Sequence, residues 1–594
     1  MLLASLIAFS SVVLPPVMPV ADVKPGQHGE CLTVFQGDKV EPFPFVVRGT
    51  MPNFLGPDRD VVLIRLEGEK AEFTGVVAGM SGSPCSIDGK LVGALAYSFA
   101  TFAKEPIAGI TPIGDMLSVM KVKREERPWR VEADKAALSD KADGAKVAIS
   151  VGTSASEWQA LRDGQIVVTP KSDTQIRPIA TPLAISGMPQ RVIDHFAPWL
   201  ENAGFMAMAG GSSGKNPAAT KLVPGSAIAA VLVRGAVNIA ATGTVTSVEG
   251  NEVTAFGHPF FGAGAVSIPM ANASIVNTMV STQRSFKMAV PGANLGEVTQ
   301  DRLTAIGGIL GGVPSMVPVT GALETPDGPA KFELEVSRDL ELTPRFVAMG
   351  LAGALSGRVD AGTRGTLRFT GTIHVDGMKP IVIKNVYSAQ RDGSLMTSPA
   401  IDVAMAFASM WSTPFAPPPK MSVSIDAQLS SEPIEETIED IVLDRSAIEA
   451  GKPVEVAVRI RRTNGPVTYE KFSLQVPRSW IGDNVDIIAA SADVAERVAD
   501  EVSGAPRPND LGDIVRVVNA HRADGNVYLM AVRDGVGMRS RVDVLQFIPP
   551  SAIATLSGDP MTHTRSRGLA WEEKRARPGT LSGSAITSLK VVAP

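Results

Sequence analysis

Short apolar runs separated by turn-forming residues dominate the first 120 positions: CLTVFQG, PFPFVVRG, RDVVLIRLEG, TGVVAGM, KLVGALAYS and AGITPIGDML. Runs of this length, bounded by Gly, Pro and Asp, predict strands. The charged stretch VKREERPWRVEADKAALSDKADGAK then marks a linker or exposed helix, and RVIDHFAPWLENAG, from Arg191, has helical spacing. Strand-like runs return at SAIAAVLVRG, NIAATGTVTSVEG and NEVTAFGHPF. No Asp, Glu, Lys or Arg occurs between Val253 and Gln283, but two prolines, a histidine and several Asn and Ser residues make a lipid-exposed helix costly there. A buried barrel is the better reading. After residue 325 alternation is clean: in AKFELEVSRD, residues Phe332, Leu334 and Val336 share one strand face, which predicts a half-solvated β-sandwich. Beyond the linkers STPFAPPPK and SSEPIEE, alternation at Val454, Val456, Val458 and Ile460 predicts an immunoglobulin-like sheet, followed by a mixed region with the helical segment ADVAERVADEVSG.

The chain therefore reads as mainly β, and at 594 residues it is too long for one core. The expected segments are 1–21, 22–120, 121–220, 221–322, 323–430 and 431–594. The first begins with MLLASLIAFSSVVL and is broken by Pro15, Pro16 and Pro19, which predicts a signal segment and export to the periplasm, cell envelope or medium. A net charge of −5 gives no basic footprint, which argues against nucleic acid as a partner.

Two cysteines, Cys31 and Cys85, are too few for a cysteine-based metal cluster. In an exported chain they can pair, closing a loop worth about 4 kcal/mol in the chain-entropy model, or remain as two buried thiols. No H-E-x-x-H is present, and AGGSSGKN lacks the spacing of a phosphate loop. No metal or cofactor is expected.

The turn Gly79-Met80-Ser81-Gly82-Ser83-Pro84 is the chemically suggestive stretch. Glycines can aim successive backbone N–H groups at one point while presenting a hydroxyl beside them, as acyl transfer requires. On that reading Ser81 attacks, and the amides of Gly79 and Ser81 hold the oxyanion. The plainer reading is a hairpin that needs glycine at positive φ. A serine nucleophile also needs a base. Of His28, His195, His258, His374, His521 and His563, only His258, in AFGHPFFGAG, sits at the end of a strand pattern among small residues. Glu67 and Asp60 are candidate carboxylates to orient it.

TGVVAGMSGSPCSIDGKLVGALAY resembles the nucleophile segment of the SpoIVB (stage IV sporulation protein B) serine peptidase family, with its G-M-S-G-S-P turn and following strand. GTVTSVEGNEVTAFGHPF, with GANLGEVTQDRLTAIGGILGG downstream, is similar to that family's histidine segment. The resemblance implies a chymotrypsin-like double β-barrel, placed before the β-sandwich domains, with the site between the barrels. It implies Ser81 as nucleophile, His258 as general base and Glu67 as the acidic member, which is Glu where the family has Asp. The serine segment precedes the histidine segment, an order permuted from the family's. A triad is defined by geometry and not by chain order. The implied function is an exported endopeptidase performing limited proteolysis of protein substrates or of itself. The competing expectation is a non-catalytic binding or scaffold protein of the cell envelope that keeps the fold.

Overall fold

The computed structural model describes residues 15–99, 104–122, 155–166, 176–211, 218–339, 342–359, 363–389, 394–411, 413, 415, 418, 420–443, 447–504, 506–540, 542–556 and 562–594. Most of the expected signal segment, nearly all of the charged stretch after Lys121, and much of AGGSSGKN and the 412–420 linker lie outside them. The protein is mainly β, as its alternation and turn content predict. Two compact units are present: among the described residues, those up to 318 together with 333–357 form one, and 319–332 with those from 358 onward form the other.

The first unit is built on two closed rings of strands. β1 (His28–Val34), β2 (Val40–Gly56), β3 (Arg59–Leu66), β4 (Pro84–Ile87), β5 (Lys90–Ser98) and β6 (Ile107–Pro112) pair in the order β4-β1-β2-β3-β6-β5, and β5 returns to β4. Closure leaves no free edge within the ring and lets each strand bury an apolar face. Phe43, Phe45, Val47, Val62, Ile64, Leu66, Leu95 and Ile110 share a core cluster with Cys31 and Cys85. These two cysteines lie opposite each other on β1 and β4 and form a disulfide.

The TGVVAGM run departs from expectation. It is the end of a short helix, α1 (Glu69–Thr74), followed by a turn. The reason is local: Gly75, Gly79 and Gly82 all have positive φ, which no regular strand tolerates.

β7 (Arg177–Pro178) adds to β5. β8 (Thr181–Ser186) and β9 (Phe205–Ala209) pair in parallel, and the predicted helix is present between them as Gln190–Asn202. The second ring comprises β10 (Ala227–Gly235), β11 (Asn238–Glu249), β12 (Glu252–Ala255), β13 (Gly264–Met279), β14 (Phe286–Arg302) and β15 (Ala305–Leu310). It runs β10-β13-β14-β15-β12-β11 and closes through β10–β11. The charge-free stretch after Val253 thus supplies β12, β13 and the loop between them. α2 (Ile113–Lys121) follows β6 and buries Ile113, Met116 and Val119, one helical face, in a cluster with Leu91 of β5 and Ala305 of β15.

Phe332, Leu334 and Val336 are buried on one face of the strand Gly328–Ser337, as alternation predicts. The segment 323–430 also holds two helices that alternation could not reveal, Thr343–Ser356 and Ser394–Trp411. Both are apolar nearly all round, the pattern of buried helices. In the second unit Pro453–Arg462 pairs with Val467–Gln475 and Glu435–Val442, and Val456, Val458 and Ile460 enter a core with Phe472, Trp480 and Ile487. ADVAERVADEVSG forms the helix Ala492–Ser503.

A candidate serine-histidine site between the two rings

The serine turn joins α1 to β4, and β11 of the second ring grips it. Thr244 N–H donates to Ser81 O at 2.9 Å, and Thr244 Oγ1 to Gly79 O at 3.0 Å. Thr246 Oγ1 donates to Gly82 O at 2.7 Å. Residues two apart on a strand face the same way, so the G-T-x-T pattern of Gly243-Thr244-Val245-Thr246 presents two hydroxyls to one turn. A side chain at Gly82 would lie 2.0 Å from Thr244 O and 2.4 Å from Phe256 N, so only glycine admits this approach.

The polar groups inside the turn alternate between engaged and free. Met80 N–H donates to Val77 O, Gly82 N–H to Leu95 O and Ser83 N–H to Met80 O. Ala78 N–H donates to Ser285 O, just before β14. Among the described residues the N–H of Gly79 and that of Ser81 have no acceptor. What fixes them is the other end of each peptide. A trans peptide is planar, with C=O and N–H pointing opposite ways. Ala78 O accepts from Lys287 N at 3.0 Å, which turns the Gly79 N–H outward from β14. Met80 O accepts both Ser83 N–H and Ser83 Oγ, the latter at 2.7 Å, which does the same for the Ser81 N–H. Ser83 therefore shapes the turn. Ser81 is fully buried and, among the described residues, its Oγ has no partner.

His258 follows β12 in a loop pressed against the first ring. Gly257 lies close enough to Ala96 that an added Cβ would sit at 2.9 Å, and Thr111 Oγ1 donates to Gly257 O at 2.6 Å. Phe256 has φ 68°, a strained value for a bulky residue, and it stacks edge-on to Phe260 at 4.3 Å. His258 Nδ1 lies 2.9 Å from Pro259 O. A carbonyl only accepts, so Nδ1 carries the proton and Nε2 the lone pair. Nε2 is buried and has no partner among the described residues. Burial pulls the imidazole down to about 4, against the smaller upward pull of the Pro259 carbonyl, so the ring is neutral at ordinary pH.

The structure thus brings the serine turn and the histidine loop to one seam, with Ser81 Oγ and His258 Nε2 both unpartnered and not hydrogen-bonded to each other. Glu67 stands elsewhere in the bonding pattern. Its carboxylate takes Arg65 at 3.0 Å and lies 3.4 Å from His28 Nδ1. Asp60 accepts the Asn53 N–H at 2.9 Å within the β2–β3 hairpin.

Sequence reasoning missed Asp301 on β14. It is buried and accepts N–H bonds from Phe260, Phe261 and Ala263 at 2.8, 2.9 and 3.2 Å, pinning the loop that carries His258. Burial raises its carboxyl and the three amides oppose that rise. Glu297, Gln300 and Arg302 stand beside it in the chain, so the sequence alone carried no signal that singles it out. Among the described residues no group of His, Cys, Asp and Glu could hold a metal ion.

A glycine turn with two unengaged amides beside a serine, across a seam from a neutral imidazole, is an arrangement suited to serine hydrolases. Residues 10–111 match the family model described as SpoIVB peptidase S55, which assigns this N-terminal segment to a family of serine peptidases. No curated protein and no solved structure matches the chain.

Proposed function

We propose that the protein is an endopeptidase of the SpoIVB type acting outside the cytoplasm, with Ser81 as nucleophile and His258 as general base. The observation that carries this reading is the pair of unengaged N–H groups at Gly79 and Ser81, each set by a hydrogen bond on the opposite side of its peptide. Buried polar groups are nearly always bonded, and exceptions gather where chemistry supplies the partner. In the proposed cycle His258 Nε2 takes the Ser81 proton as Oγ attacks a peptide carbonyl. The two amides receive the oxyanion, and His258 returns the proton to the leaving amine. Water, activated by the same nitrogen, then releases the acyl group. Pro259 O holds the tautomer in the place where other triads use a carboxylate, so the mechanism does not require Glu67.

Ser81 is fully buried and His258 nearly so, which means that substrate entry must part the two surfaces. Export is part of the proposal and is supported by the apolar leader and the disulfide, which persists in oxidising compartments. Among the described residues no helix is long and apolar enough to cross a membrane. Hydrolysis of an unstructured protein such as casein tests the reading. Activity of the wild type that disappears in Ser81→Ala and falls about 100-fold or more in His258→Ala supports it. Equal activity in all three, or none in the wild type, favours a non-catalytic binding protein.

A further inference from the structure

Lys287 on β14 is fully buried, and the acyl-transfer cycle leaves it unused. Its Nζ donates to Thr33 Oγ1 of β1 at 2.6 Å. No ion pair to it is recorded among the described residues. Its side-chain stem lies along the serine turn: a Cβ added at Gly79 would sit 3.3 Å from both Cβ and Cδ of Lys287. Its main-chain N–H holds Ala78 O at 3.0 Å, the carbonyl of the peptide whose N–H belongs to Gly79.

We propose that Lys287 is a positioning residue for Ser81 chemistry, clamping Gly79 under its stem and anchoring that stem on Thr33 so that the Gly79 N–H stays turned toward the oxyanion. The inference rests on the reading of Ser81 as nucleophile.

A methionine could fill the same space without a charge to bury, so packing alone gives no reason for an amine here. The amine adds a fixed end point: Nζ ties β14 to β1 across the turn, two residues from Cys31, which is bonded to Cys85 just after the motif. Burial pulls Lys287 down to about 7, with no opposing carboxylate. The groups against it, Thr33 of β1 and Ala78 and Gly79 of the turn, do not titrate in this range, and His258 is already neutral there. Protonation below about pH 7 puts an unpaired cation against a single hydroxyl. The bond to Thr33 is not what weakens, since an ammonium is the stronger donor; the uncompensated burial of the cation favours opening of the site, and the clamp loosens as pH falls.

In the wild type stability and labelling both fall as pH drops, whereas Lys287→Met moves them in opposite directions. A lysine whose folded value is about 7 carries its full burial cost below pH 7, and the cost fades as pH rises toward the ordinary lysine range near 10.5. Lys287→Met removes that cost, so the variant melts at the same temperature or higher, with the largest gain below pH 7.

The test is the rate at which a fluorophosphonate phosphonylates Ser81 between pH 5 and 9, alongside melting temperature. In the wild type the rate is expected to fall as pH drops through about 7. In Lys287→Met it is slower by about 10-fold or more at pH 8, short of the 100- to 1000-fold typical of deleting an oxyanion donor, and the inflection near 7 disappears. Thr33→Val slows labelling in the same direction, and the double variant is no slower than Lys287→Met, since both act through one contact. Labelling of Lys287→Met within twofold of the wild type overturns the proposal and leaves the Ser81 reading intact. So does a loss that merely tracks a fall in melting temperature, or a wild-type rate that rises as pH falls through 7. If Lys287→Met does not fold, Thr33→Val decides: unchanged labelling overturns the inference. A wild type that is not labelled at Ser81 overturns both readings.

Discussion

The serine turn and the histidine loop meet at one seam but are built by opposite means. The turn takes its bend from its own residues, and β11 and β14 then hold it in place. Glycines at 79 and 82 supply positive φ, Met80 N–H reaches back to Val77 O, and Ser83 folds over onto Met80 O, all within a few residues. The loop is specified from a distance. Asp301, about 40 positions downstream, collects three of its amides, and Thr111, almost 150 positions upstream, holds Gly257 O. A nucleophile on a turn whose bend is encoded locally can be recognised as a short motif. A base on a loop whose shape is imposed by remote partners leaves only a weak local trace.

Substitutions can sharpen or break that contrast. The largest effect is expected where turn and loop touch. Gly82→Ala drives a methyl into Thr244 O and Phe256 N at a residue with φ 97°, so the first unit is expected to lose about 3 kcal/mol or more. Its thermal transition reads this, and an unchanged transition means that the close approach is not real. Next is Asp301→Ala, which removes the shared acceptor of three loop amides, two of them buried and one part-buried. A loss of about 3 kcal/mol is expected, together with labelling of Ser81 slowed through a displaced His258. Normal stability with normal labelling shows that the loop holds its own shape and that the contrast is false. Smallest is Ser83→Ala. Ser83 N–H still holds Met80 O after the hydroxyl is gone, so about 1 kcal/mol is lost and labelling slows by less than about 10-fold. A larger kinetic loss with intact folding would give Ser83 a direct part in the chemistry.

The same contrast explains what could be read from the chain. The strands of the first ring follow from short apolar runs with turn residues between them, whereas the choice between a disulfide and two thiols at Cys31 and Cys85 is settled only by the strand register that sets them opposite each other. Ser81 and His258 stood out because of their immediate neighbours. Thr244 and Thr246 lay within a recognised pattern, but their job depends on which face of β11 meets the turn, a tertiary fact. Asp301 and Lys287 looked like ordinary polar positions on a long strand. Their meaning comes from full burial, which one sequence does not report. Glu67 is read as a triad member from its place upstream of the serine, and its bonded neighbours are Arg65 and His28. The helices Thr343–Ser356 and Ser394–Trp411 escaped notice because a helix buried on all sides has no polar stripe to reveal its period.

The central claim is that one hydroxyl, Ser81 Oγ, is made reactive by its turn. Mass-spectrometric mapping of the native protein after brief fluorophosphonate treatment addresses it most directly. The account predicts a single phosphonylated site, in the tryptic peptide from Ala71 to Lys90 and on Ser81 rather than Ser83 or Ser86. Modification spread over many serines, or absent from that peptide, would contradict it.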